Sequence, residues 1–253
     1  DASGASDIDG LSDCLVENDS IWLGNDPSGT TDTASYCIGL GTTALDAITT
    51  GDGNTAVGYK ALTAATTAAG NTCVGFDAGG AISDGNYNTC VGYNAGRDVN
   101  GGLSTGGNNV LVGYYTGTAL GAGNYNVVVG SMANRYGGNT GSSCAIGMTA
   151  LHNAGADASS NIAMGVQAGY YISSGDLNVC LGSGAGNGGG VNSHTALTTG
   201  SQNILLGPEC DTSAADSANQ IVMGYEVAGN ADDSLCFGNS TTDSAIAFGA
   251  TSI

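Results

Sequence analysis

The chain has 253 residues, 45 of them glycine, and sets 22 acidic side chains against three basic ones (Lys60, Arg97 and Arg135), for a formal net charge of -19. That balance cannot neutralise phosphates, so it excludes electrostatic attachment to nucleic acid or to an anionic membrane. Proline is almost absent, glycine keeps no third-residue period and no apolar run reaches the length of a membrane span, which removes collagen and membrane insertion.

Residues 1–19 (DASGASDIDGLSDCLVEND) are acidic and weakly patterned, and read as an N-terminal lead, an adaptor or a linker. The sequence starts at Asp1 with no visible signal peptide, as a processed product or a fragment would. From residue 20 onward one motif repeats: Asn54–Leu62 (NTAVGYKAL), then Asn71–Gly79 (NTCVGFDAG) and Asn88–Gly96 (NTCVGYNAG). Its central glycine falls at Gly24, Gly41, Gly58, Gly75 and Gly92, each 17 residues after the last. It continues at Gly113, Gly130, Gly147, Gly165, Gly182, Gly207, Gly224, Gly238 and Gly249, with spacings of 21, 17, 17, 18, 17, 25, 17, 14 and 11. A fixed period with a few insertions is the mark of a solenoid. Residues 20–253 are therefore expected to form an all-β, parallel β-solenoid domain with rungs of about 17 residues. There are 14 such glycines, one per rung, and the shortened spacings over 225–253 predict a tapering tip.

Within the motif, numbered from its asparagine, positions two and four share one face of a strand and position three takes the other. Position four holds Val57, Val74, Val91, Val112, Val129 and Ile146; position three holds Ala, Cys, Leu or Val. Both faces are apolar, so one lines the coil and the other needs a second body, which symmetric association would supply. Position one is Asn54, Asn71, Asn88, Asn109, Asn126, Asn161, Asn178 and Asn203, placed to form a ladder of amides from rung to rung. Position five suits a tight bend. Position eight is mostly alanine, which predicts a second strand in a thin coil. Position six carries Tyr59, Phe76, Tyr93, Tyr114 and Tyr225, read as packing or subunit interface. Cys73, Cys90, Cys180 and Cys236 fall at position three and read as small apolar fillers, buried free thiols suited to assembly in a reducing cytosol. No two of the eight cysteines have the close spacing of a zinc site.

The motif NTAVGYKAL, with NTCVGFDAG and NIAMGVQAG, resembles repeats of bacteriophage tail fibres, notably of marine and cyanobacterial phages. It is also similar to the S-x-A-x-G head repeat of trimeric autotransporter adhesins. The resemblance covers residues 20–253 and implies a left-handed parallel β-roll with three chains to a head. The period exceeds the usual adhesin-head repeat of about 14, the cysteines are a departure, and stalk heptads and membrane-anchor strands are missing. These departures favour the phage reading or a free surface filament.

No nucleophile elbow, phosphate loop or zinc-protease helix is present, so no enzyme activity, cofactor or metal is expected. The expected function is a structural or adhesive fibre segment of a virion, presenting or spacing a host-binding surface. Its partners would be copies of itself, adjoining fibre or virion proteins, and a host glycan or protein. The alternative is a bacterial surface adhesin or extracellular filament subunit; a glycan-degrading spike and an ice-binding protein rank below. Candidate receptor-binding residues lie at the two insertions and at exposed rings: Arg97, Asn100, Asn187, Asn192, His194, Thr195, Tyr170 and Tyr171. Both histidines, His152 and His194, read as exposed loop residues.

Overall fold

The structure is a computed structural model and describes residues 14–24, 29–97, 105–138, 141–155, 157–189, 195–239 and 242–247. The chain forms two compact units, Asp1–Asn124 and Tyr125–Ile253. Each is a parallel β-solenoid, and among the described residues there is no helix.

The first unit contains β1 (Cys14–Glu17), β2 (Ser20–Leu23), β3 (Ile38–Leu40), β4 (Thr55–Val57), β5 (Thr72–Val74), β6 (Thr89–Val91) and β7 (Val110–Val112). From β2 onward every pair is parallel and in register with the repeat, for example Cys73↔Cys90 and Cys90↔Leu111. The insertion before β7 leaves that register unchanged. β1 lies inside the segment read as a lead, and it pairs antiparallel with β2 through Glu17↔Ser20. The two turn residues between them, Asn18 and Asp19, have φ of 50° and 57°. Two left-handed residues are what a tight type I′ hairpin requires.

The second unit contains β8 (Val127–Val129), β9 (Cys144–Ile146), β10 (Ile162–Met164), β11 (Val179–Leu181), β12 (Ile204–Leu206), β13 (Ile221–Tyr225), β14 (Ser234–Asn239) and β15 (Thr242–Ala247). β8 to β14 run parallel, with Cys180↔Leu205 in register across the longer insertion. Where a tapering rung was expected, β15 instead turns back antiparallel on β14 through Asn239↔Thr242. Gly249, the glycine of the expected last rung, lies outside the described residues.

Position three is the interior. Trp22, Ala56, Cys73, Cys90, Leu111, Val128, Ala163, Cys180, Leu205 and Val222 are fully buried. Position nine compensates for volume across the coil. Gly39 shares its rung with Leu45 and Ala56 with Leu62, whereas Cys73 is matched by Gly79 and Leu111 by Gly117. A Cβ on Gly117 would come within 2.8 Å of a Leu111 methyl. Such matching keeps a thin interior filled without overpacking. At the start of the first unit Trp22 lies over Gly39, filling the interior there, where a Cβ on Gly39 would meet the indole at 2.8 Å.

The position-eight alanines Ala44, Ala61, Ala78, Ala95, Ala133, Ala150, Ala168 and Ala185 are fully buried, but they do not form the second strand expected of them. They sit in consecutive turns. Positions seven and nine take left-handed φ, as at Lys60 (58°) and Leu62 (51°), or Met132 (55°) and Asn134 (44°). Such residues cost on the order of 1 kcal/mol each. The backbone bonds that result offset the cost: Lys60 N–H donates to Thr42 O at 3.1 Å and Leu62 N–H to Ala78 O at 3.0 Å, one to each neighbouring rung.

The position-one asparagines are buried and joined. Asn71 donates its backbone N–H and its Nδ2 to Asn54 Oδ1 at 3.0 and 3.1 Å, and Asn88 does the same to Asn71 at 2.8 and 3.1 Å. Asn109 bonds Asn88 likewise, and in the second unit Asn178 bonds Asn161 and Asn203 bonds Asn178. Each amide also donates to a backbone carbonyl of the following turn, such as Gly85 O at 2.9 Å and Gly175 O at 2.7 Å. Ser143 stands in this column between Asn126 and Asn161, and carries the chain of bonds with one hydroxyl.

The position-five glycines have φ from 132° to 143° between Gly41 and Gly224. Within each unit, a Cβ would run into the carbonyl of the next glycine in the column: Gly58 into Gly75, Gly75 into Gly92, Gly165 into Gly182. Glycine is required here by both conformation and space.

Candidate interaction surface

With position three inside, positions two, four and six face out. Val57, Val74, Val91, Val112, Val129 and Ile146 therefore line no interior of this chain; Val74 and Val91 keep 36% and 37% of their surface exposed and the others are half-buried. A strand buried on both sides would need a second body on this face.

In the first unit the face has three rows. Row two is Ile38, Thr55, Thr72, Thr89 and Val110, row four runs from Leu40 to Val112, and row six is Thr42, Tyr59, Phe76, Tyr93 and Tyr114. None of these positions carries a charge. The rings of row six follow one another at 5.2, 4.8 and 5.7 Å, the last two pairs stacked. They remain 40 to 50% exposed. Four such rings alone leave about 350 Å² of exposed ring surface, already within the ~300–600 Å² of the largest apolar patch on a typical monomer, and the aliphatic rows add to it. In the second unit the same face is mostly aliphatic: Val127, Ile162 and Met164 are among its exposed residues, with Met148 and Val166 on row six, and it carries rings at Phe237 and Tyr225.

The candidate receptor residues fall in different places. Arg97 pairs with the buried carboxylate of Asp77 at 2.8 Å, the one ion pair among the described residues, so it is held as a structural clamp in the first unit. Asn100, Asn192 and His194 lie outside the described residues. Asn187 and Thr195 flank the longer insertion. Its limbs meet where Leu197 N–H donates to Gly186 O at 3.2 Å, and Thr195 bridges Thr212.

Tyr170 and Tyr171 are brought together with two residues the sequence reading did not join to them. His152 stacks on Tyr170 with centroids 4.9 Å apart and planes 13° apart, and Tyr136 meets His152 edge-on at 5.0 Å. Tyr171 stands at 71° to Tyr170. Arg135 lies over the Tyr136 ring at 5.1 Å. His152 is not the exposed loop residue expected. It is 6% exposed, and its Nδ1 donates to the Met132 carbonyl at 2.8 Å. The missed signal was register: Arg135, His152 and Tyr170 all fall at position ten of consecutive rungs.

Among the described residues seven cysteines are free, and of these all but Cys144 are buried. Burial pushes the Cys180 thiol up to about 12, helped by the nearby Asp211. Burial also holds Cys73 well above the ordinary thiol range, with Cys90 beside it acting in the same direction. Such thiols stay protonated and are poor nucleophiles. Among the described residues no three His, Cys, Asp or Glu side chains converge as metal ligands, and no pocket indents the surface. Compared with protein-family models, with curated proteins and with solved structures, the chain finds no match in any of the three.

Proposed function

We propose that this chain is a self-associating structural segment of a fibre, three copies packing their outward strand faces together in a left-handed β-roll. In this reading it belongs to a phage tail fibre or a related virion appendage and spaces or presents a host-binding surface. The observation that carries the proposal is the uncharged apolar face of positions two, four and six, half-exposed on a chain whose net charge is -19. A strongly acidic chain that keeps every carboxylate off one face has reserved that face for contact. The resemblance of NTAVGYKAL to tail-fibre repeats supports the virion setting and the number three.

Native mass tests it. A mass of three times 24.5 kDa is expected. Val91→Asp places a charge on the proposed interface and should reduce the mass to that of one chain while leaving the β-sheet circular dichroism intact, because Val91 already meets water in the single chain. A wild-type chain that stays monomeric at micromolar concentration would overturn the reading.

A further inference from the structure

We propose that the ring cluster of the second unit, Tyr136, His152, Tyr170 and Tyr171 with Arg135, is a binding platform for neutral carbohydrate. The cluster breaks the repeat. Elsewhere positions ten and eleven hold no ring, as in Thr63–Ala64, Gly80–Ala81, Arg97–Asp98 and Thr118–Ala119. In three consecutive rungs they become Arg135–Tyr136, His152–Asn153 and Tyr170–Tyr171. The interior does not require this change, because Tyr136 and Tyr171 remain 53% and 46% exposed.

Packing separates this cluster from the ring row of the first unit, although Tyr114 meets Tyr115 edge to face there at 72°. In the Phe76–Tyr93–Tyr114 row the rings stack on one another. That arrangement suits burial under another apolar surface. In the cluster, Tyr136 and His152 are 85° apart and Tyr170 and Tyr171 are 71° apart. An edge-to-face contact occupies only an edge of one ring, and Tyr136 and Tyr171 stay about half exposed; an open aromatic face is what the C–H side of a pyranose stacks on. The platform is also fixed in advance. His152 is buried and anchored to the Met132 carbonyl, and Arg135 covers part of Tyr136. Little side-chain freedom is lost on binding.

The polar groups select the ligand class. The six positions carry no carboxylate; they offer a guanidinium, phenol hydroxyls and the Asn153 amide, groups that hydrogen-bond sugar hydroxyls. An acidic sugar would approach against the field of the whole chain. A neutral hexopyranose polymer fits both conditions. The platform is independent of how many chains assemble, though multiple copies would turn weak contacts into avidity.

The test is electrophoresis of the full chain in native gels cast with a soluble β-glucan, dextran, a galactomannan or pullulan. At least one should retard the protein, and Tyr136→Ala/Tyr171→Ala should lower apparent affinity about tenfold. Tyr36→Ala/Tyr87→Ala, exposed rings of the first unit outside both the cluster and the outward strand face, should leave it unchanged. Native mass and circular dichroism of each variant keep this result separate from the self-association reading. Should the double variant unfold, Tyr171→Ala alone carries the same test. Retardation by none of the four polymers, or retardation that the ring variants do not alter, overturns the proposal.

Discussion

In Asp1–Asn124 the outward face ends in the ring row Tyr59, Phe76, Tyr93 and Tyr114, whereas in Tyr125–Ile253 the same row holds Ser131, Met148, Val166, Ser183, Pro208 and one ring, Tyr225, and the clustered rings lie at the turns. The interiors differ far less. Both units keep glycine at position five, small or aliphatic side chains at position three and amides at position one. Inside, each residue must fit its neighbours two rungs over and the closure of its own coil. Outside, a residue answers only to what it touches. One scaffold therefore supports two different faces.

The sharpest way to break that comparison is at the glycine column. Gly75→Ala in the first unit and Gly165→Ala in the second should each lower the unfolding free energy by about 3 kcal/mol or more, since both φ and space forbid a Cβ. Denaturant unfolding checks this, and a loss below about 1 kcal/mol in either unit would show that the two interiors are not built alike. The amide column comes next. Asn71→Ala and Asn178→Ala each orphan buried groups and should cost about 1–3 kcal/mol. Ser143→Asn restores the consensus amide and should stabilise the second unit by up to about 1 kcal/mol, read as a rise in Tm.

The thiols sharpen the comparison along the pH axis. A group whose folded pKa is raised stabilises the fold below its unfolded value, and that contribution is lost as pH climbs toward the folded value. For Cys180 the window runs from the ordinary 9.0 up to about 12. Stability should fall as pH rises through this range, and Cys180→Ala should flatten the slope. Cys73→Ala should do the same for the first unit. A slope indifferent to both variants would mean that the thiols do not set it. The smallest effect belongs to the outer rows: Thr72→Val should change single-chain stability by less than about 0.5 kcal/mol, because Thr72 faces water.

Much of this was legible in the sequence. The period, the glycine column and the inside-outside alternation follow from spacing alone, because a rung that drifts by one residue turns its interior out. The volume exchange between positions three and nine is also written there, as in Ala56 with Leu62 and Cys73 with Gly79. The turns under position eight were not legible. Lys60, Leu62 and Leu151 adopt left-handed φ with side chains that carry no such preference, and only the stacked neighbours hold them there. β1 could have been found, since Asn18-Asp19 between two apolar runs is a hairpin signal. The ring cluster was half visible. Tyr170 and Tyr171 stood out, but linking them to Tyr136 and His152 required counting positions along a rung whose spacing had already slipped by one residue.

The register across the two insertions has a consequence for how such a chain can change over generations. Thr89 still pairs Val110, and Val179 still pairs Ile204, although the intervening segments are 4 and 8 residues longer than the repeat. Every strand downstream keeps its partner whatever the length of those segments. An in-frame gain or loss of codons there is silent for the scaffold and visible only at the surface. The parts of the gene that encode those insertions can therefore drift, be exchanged or be rewritten by selection without renegotiating the fold.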